Sequence, residues 1–253
     1  MLNQDQVSFY QTNGYLVVHD IIAPEILEQY RVLYDRFLDG SIYTGANRSD
    51  LGAGLGNTKT GENITQIMWP SDFVPEVLHM PYHQHATRIA KQLLGTDIEM
   101  DFDMLINKAQ QTDTPTPWHQ DAAYWVDMPD KRAASCWLAL DRASLDNGCM
   151  WYVPGSHLLP IRSHRFAGAK GGALTCDASE SEGVAIEVSP GTCIWHDGGT
   201  LHYSRGNQTD QQRRAFIVNF RPIAMIELER SLGFDHGRSG GAADRKVRSD
   251  AFK

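Results

Sequence analysis

Asp146-Asn147-Gly148-Cys149-Met150-Trp151-Tyr152-Val153-Pro154-Gly155-Ser156-His157 holds a turn signal, an apolar run and a second turn signal in one short stretch. Asn-Gly favours a tight hairpin turn, and Pro-Gly breaks regular structure. The run between them, Cys149–Val153, is too short for a helix and reads as a strand. The same grammar extends in both directions, predicting strands at Ile98–Lys108, Ala134–Asp141, Gly183–Glu187, Gly191–Trp195 and Arg214–Arg221. The first third reads differently. Asp5 to Gly14 suggests a short helix, Tyr15–Val18 a brief strand, and Pro24 opens a helix with Ile26, Leu27, Tyr30, Leu33, Tyr34 and Phe37 on one face. A further helix fits Tyr82 to Leu94, between Pro81 and Gly95. Helices first and antiparallel strands afterwards point to a barrel or double-sheet jelly roll with helices outside.

The chain has 253 residues, which suits a single domain, with the β core at about 96–222. Residues 39–63 carry no apolar period and read as a long loop, either functional or disordered, and as a candidate lid together with 164–182. Residues 232–253 are charged and Gly-rich and read as a loose tail. The formal net charge is −8 and no Lys/Arg run stands out, so nucleic-acid binding is set aside. No apolar run approaches the ~20 residues that span a bilayer. The opening MLNQDQVSFYQTNG is polar, unlike a signal peptide. Cys136, Cys149, Cys176 and Cys193 are too scattered for a zinc knot and read as reduced thiols, with a cytoplasmic location expected.

The chemistry gathers at Trp118-His119-Gln120-Asp121. On an extended segment, residues two apart face the same way, so His119 and Asp121 aim an imidazole and a carboxylate at one point. A third ligand must come from elsewhere among ten histidines, and His202, at the end of a β run from Gly191, is the best placed. Two His and one carboxylate leave positions open for cosubstrate and O2, as in non-haem Fe(II) oxygenases. Eleven residues on, Arg213 begins a strand on which Arg213, Ala215, Ile217 and Asn219 share one face. That face is smaller and more polar than the other, as a cavity lining would be, and an inward guanidinium suits a dicarboxylate.

Several motifs resemble the phytanoyl-CoA dioxygenase family of Fe(II)/2-oxoglutarate oxygenases. They are MLINK at 104–108, WHQDAAYW at 118–125, the 146–157 run, His202-Tyr-Ser-Arg-Gly-Asn-Gln-Thr209 with Arg213, and the opening Phe9-Tyr-Gln-Thr-Asn-Gly-Tyr-Leu-Val17. The resemblance covers roughly residues 5–222. It implies a double-stranded β-helix (jelly roll, cupin-like) with N-terminal helices packed on the larger sheet. It also implies His119, Asp121 and His202 as iron ligands, Arg213 on the distal carboxylate of 2-oxoglutarate, and Ser204, Trp137 and Met104 near that cosubstrate. Gln66 stands where some relatives have a Lys beside it. The implied reaction hydroxylates a C–H bond of a small molecule, consuming O2 and releasing succinate and CO2. The carboxylate at Asp121 sets the chain apart from halogenating relatives, which have a small residue there. His196 competes with His202 as distal ligand, but the position eleven residues after it is Asn207 rather than Arg. His157 and His164 read as structural groups on loops, and His79, His83 and His85 as a helix start and its turn. A cupin-like enzyme without 2-oxoglutarate and a silent jelly-roll binding protein are the alternatives.

Overall fold

The computed structural model describes residues 1–55, 61–168 and 173–239. Its helices are α1 (Gln4–Asn13), α2 (Pro24–Leu38), α3 (Pro70–Phe73), α4 (Pro81–Leu94) and α5 (Ile223–Ser231). Thirteen strands follow in chain order: β1 (Tyr15–Val18), β2 (Arg48–Asp50), β3 (Ile64–Met68), β4 (Ile98–Lys108), β5 (Thr116–His119), β6 (Ala134–Ala139), β7 (Met150–Tyr152), β8 (Arg165–Phe166), β9 (Leu174–Thr175), β10 (Val184–Ile186), β11 (Cys193–Asp197), β12 (His202–Ser204) and β13 (Arg213–Pro222). A seven-stranded antiparallel sheet runs β1-β11-β6-β13-β4-β3-β2 and faces a four-stranded one, β10-β7-β12-β5. This is the expected double-stranded β-helix.

Helices α1, α2 and α4 pack on the outer face of the larger sheet. Tyr30 and Tyr34 of α2 and Tyr82, Ala86 and Ala90 of α4 share one core with Phe216, Val218 and Phe220 of β13. The Tyr82 hydroxyl, deep in that core, donates towards the carbonyls of Cys136 and Phe216 at 2.7 and 2.9 Å, pinning α4 to two adjacent strands. On the inner face Ile106, Trp137, Ala215 and Ile217 meet Met150 and Tyr152 of the smaller sheet. The alternation along β13 therefore sorts its side chains as expected, even positions to the helices and odd ones inward.

The 146–157 run is a closure device. Asn147 caps its own turn, its Oδ1 accepting from Ser144 N and its Nδ2 donating to Arg142 O, both at 2.7 Å. Gly148 has φ +87°, and a Cβ there would stand 2.4 Å from the Arg205 carbonyl oxygen. Because both the conformation and the contact exclude a side chain, Gly148→Ala should destabilise the fold by about 2–4 kcal/mol, measured by denaturant unfolding.

Three segments differ from their reading in sequence. Within 39–63, β2 pairs with β3, and β3 with β4, extending the larger sheet; residues 56–60 lie outside the described residues. All five β3 residues are buried, so the alternation that marks a half-exposed strand is missing. Helix α5 follows β13 directly, and residues 232–239, expected as a loose tail, pack against the body with His236 buried. Residues 240–253 of that expected tail lie outside the described residues. Among the described residues no helix is long and apolar enough to cross a membrane.

Candidate active site

A cavity of about 360 Å³ opens between the sheets, lined among others by His119, Asp121, His202, Arg213, Trp137 and Met104. His119 ends β5 and Asp121 follows at the strand exit, while His202 begins β12 directly opposite His119. The run from Gly191 does not continue to His202. It ends at Asp197, whose Oδ1 accepts from Gly199 N at 2.8 Å, and a turn carries the chain into the other sheet. His202 and Arg213 thus reach the cavity from different sheets rather than along one hairpin. A bulge in β5, where Thr116 to His119 faces only Ser204 to His202, turns both Thr116 and His119 inward.

The three side chains converge. Asp121 Oδ1 lies 3.6 Å from His119 Nε2 and 3.6 Å from His202 Nε2. Nδ1 of His119 donates to Pro117 O at 2.7 Å, and Nδ1 of His202 to Thr200 O at 2.9 Å. These backbone bonds set the tautomer and leave both Nε2 lone pairs directed at Asp121 Oδ1, an acceptor-only set suited to a divalent cation. Burial, reinforced by His119, pushes His202 well below its ordinary pKa, so it is neutral. Burial alone would raise Asp121, but its hydrogen-bonded surroundings, His196 at Oδ2 among them, outweigh it and hold the carboxyl well below its usual range.

His196 faces the other oxygen. Its Nε2 stands 3.1 Å from Asp121 Oδ2, which also accepts from Ser135 Oγ at 2.9 Å. Asn219 Nδ2 in turn donates to Ser135 Oγ at 3.0 Å. His196 therefore orients the carboxylate from outside the triad. The sequence offered His196 as a rival ligand and placed Asn219 on the inward face, but it gave neither residue its supporting role, and it missed Ser135 altogether.

Arg213 is 1% exposed, and its Nε and Nη1 have no hydrogen-bond partner among the described residues. Its guanidinium carbon lies 5.2 Å from the Trp137 ring. Burial pushes its pKa down to about 10, which still leaves it charged at neutral pH. A buried cation with unused donors is costly unless a ligand supplies the acceptor. Ser204 and Gln66 line the same cavity, and Gln66 Nε2 donates to Met104 Sδ at 3.4 Å. All eight residues singled out in the sequence thus border one space. Of the remaining histidines, His164 lies beneath the site, its Nε2 accepting from Gln120 N at 3.1 Å. His83 is buried in α4 near Asp103, and His157 bonds the Gln11 carbonyl.

A second triad, Asp101, Glu229 and His236, is as tightly clustered. Its carboxylates already face Arg221 and Arg230, so they are neutralised and poor cation ligands. The sequence model of the phytanoyl-CoA dioxygenase (PhyH) family matches residues 10–215.

The chain belongs to that family. A probable phytanoyl-CoA dioxygenase of Caenorhabditis elegans is 25% identical over 87% of this chain and 75% of that protein. The peroxisomal phytanoyl-CoA dioxygenase of Homo sapiens is 22% identical, covering 87% of this chain and 68% of its own length. Among solved structures, EvdO2 from Micromonospora carbonacea var. aurantiaca, complexed with 2-oxoglutarate, superposes with a TM-score of 0.72 at 26% identity, over 87% of this chain and 91% of that one. As a PhyH-family member this chain is an Fe(II)/2-oxoglutarate-dependent oxygenase.

Proposed function

We propose that this PhyH-family chain hydroxylates a C–H bond of a small-molecule metabolite, with O2 and 2-oxoglutarate consumed and succinate and CO2 released. The observation that carries this reading is one cavity holding both the His119–Asp121–His202 cluster and the unpartnered buried Arg213 guanidinium. In this reading His119 Nε2, Asp121 Oδ1 and His202 Nε2 hold Fe(II), which when bound supplies the one-electron chemistry of O2 that amino acids lack. Arg213 takes the distal carboxylate of 2-oxoglutarate through its forked donors, with Ser204, Trp137, Met104 and Gln66 walling the cosubstrate. Ser135 and His196 keep the Asp121 carboxylate from rotating, and the apolar lining excludes water from the reacting atoms. An ionised carboxylate at 121 supports hydroxylation over halogenation.

A cavity of about 360 Å³ lies near the lower end for ligand sites and must also accommodate 2-oxoglutarate. This favours a compact metabolite over a CoA thioester. Both sheets contribute to the one cavity, which supports a single catalytic domain. Four buried free cysteines support a reducing compartment such as the cytoplasm.

The test needs no substrate. Fe(II) and 2-oxoglutarate added anaerobically should give a visible charge-transfer band, lost in His119→Ala. Its absence from folded, iron-loaded protein would remove 2-oxoglutarate from the mechanism. Ser135→Ala should lower iron affinity by about 10–100-fold without abolishing it, as loss of a supporting hydrogen bond does; iron titration followed at the same band checks this.

A further inference from the structure

Strand β13 works as a ruler across the cavity. Arg213 starts it, Asn219 reaches Asp121 through Ser135, and Arg221 lies beyond, next to α5. The cosubstrate side is thus at one end of the strand, and the other end is walled by the segment after α5. Leu232, Phe234 and His236 line the cavity there, with Phe102, Trp125 and Met68.

That wall is held by a buried ion cluster. Asp101 is the extra residue of a bulge in β4 opposite Asn219 and Phe220, and the bulge re-aims its carboxylate. Arg221 Nε is 3.3 Å from Asp101 Oδ2, and its Nη1 is 3.4 Å from Glu229 Oε1. Arg230 pairs with both acids as well. Each cation also meets a ring, Arg221 on Trp125 at 4.1 Å, Arg230 near Trp69 at 5.7 Å, and His236 on Phe102 at 4.0 Å. Trp69 Nε1 donates to Asp235 O at 3.0 Å, and Arg238 pairs with Asp72 of α3. Trp69 and His236 both have positive φ, strain that tertiary contacts must maintain.

His236 Nε2 sits 3.2 Å from Asp101 Oδ2 and 3.2 Å from Glu229 Oε2, so it carries a proton. Burial works against a charged ring, but the two carboxylates prevail and raise His236 above its ordinary pKa. Nδ1 has no partner among the described residues. Two carboxylates against two guanidiniums and an imidazolium leave one positive charge in excess. The segment's other acid, Asp235, is taken up by the backbone N–H groups of Gly237, Arg238 and Ser239.

We propose that residues 232–239 form the substrate-recognition wall of this oxygenase, with His236 donating through Nδ1 to a carboxylate on an otherwise apolar, ring-sized substrate. The proposal rests on the oxygenase reading of the cavity, and its test separates the two. Protein saturated with 2-oxoglutarate, so that Arg213 is occupied, is titrated with 3-phenylpropanoate, cyclohexanecarboxylate and benzoate, and with the amide of each. Quenching of tryptophan fluorescence reports binding, since Trp69 and Trp125 border the wall. At least one acid should bind about tenfold or more tighter than its amide, the scale of a charge-assisted hydrogen bond. His236→Phe should erase that preference while retaining the anaerobic charge-transfer band, which also confirms folding. His236→Gln, which keeps a neutral donor, should recover part of it. Equal binding of acid and amide, an unchanged preference in His236→Phe, or no acid bound at all overturns the proposal. An acid preference without the charge-transfer band would leave the wall standing and remove the oxygenase reading instead.

Discussion

Arg213→Met should raise the KM for 2-oxoglutarate by about 30-fold to a few thousand-fold, the range expected when one partner of a buried charge pair is removed, about 2–5 kcal/mol. The guanidinium is buried, and its Nε and Nη1 are unpaired within the protein, so the ligand is the acceptor that satisfies them. Methionine keeps much of the stem volume against Trp137 while removing the charge. The same variant should make the ligand-free protein more stable by about 1–3 kcal/mol, because an uncompensated buried cation is lost. Steady-state kinetics and denaturant unfolding measure the two effects. Their opposite signs are the diagnostic: a merely structural arginine would lose stability and leave the KM for 2-oxoglutarate unchanged.

Asp121→Asn should reduce iron affinity by more than the ~10–100-fold typical of supporting residues, with loss of turnover to match. The amide supplies no negative charge, and it cannot act as acceptor both to His196 and Ser135 on one atom and to a cation on the other. His196→Phe is the control. It removes the contact to Asp121 Oδ2 and the hydrogen bond from the Tyr152 hydroxyl but no atom of the proposed ligand set, so iron binding should weaken within that ~10–100-fold range. Iron stoichiometry after dialysis and the anaerobic band distinguish the two. Should His196→Phe lose iron as completely as Asp121→Asn, the ligand set would have to be redrawn around His196.

The chemistry of the site was largely legible because each part is written locally. His119 and Asp121 are two apart, and the parity of β13 sets Arg213, Ile217 and Asn219 on one side. The turn residues around 146–157 announce themselves by conformations and contacts that few other residues tolerate. Strand β3 was not legible. Buried on both faces, it lacks the two-residue rhythm that sequence reading depends on. Nor was the path to His202, because whether a strand ends at Asp197 or runs on depends on the turn closed by Gly198 and Gly199 and on the sheet that receives it.

Residue types and short spacings thus pointed to a barrel or double sheet with outer helices and nominated His119, Asp121, His202 and Arg213, while the family resemblance narrowed the choice to the double-stranded β-helix. Long-range pairing had to supply the rest. A bulge in β5 aims His119, another in β4 turns Asp101 towards Arg221, and His196 is assigned to the far oxygen of Asp121. The segment 232–239 reads as polar tail, yet it walls the cavity because charges more than a hundred residues apart, Asp101 with Arg230 and His236, neutralise one another only when brought together. Local propensity describes a few neighbouring residues, whereas the energy of a buried ion cluster exists only after the chain has closed around it.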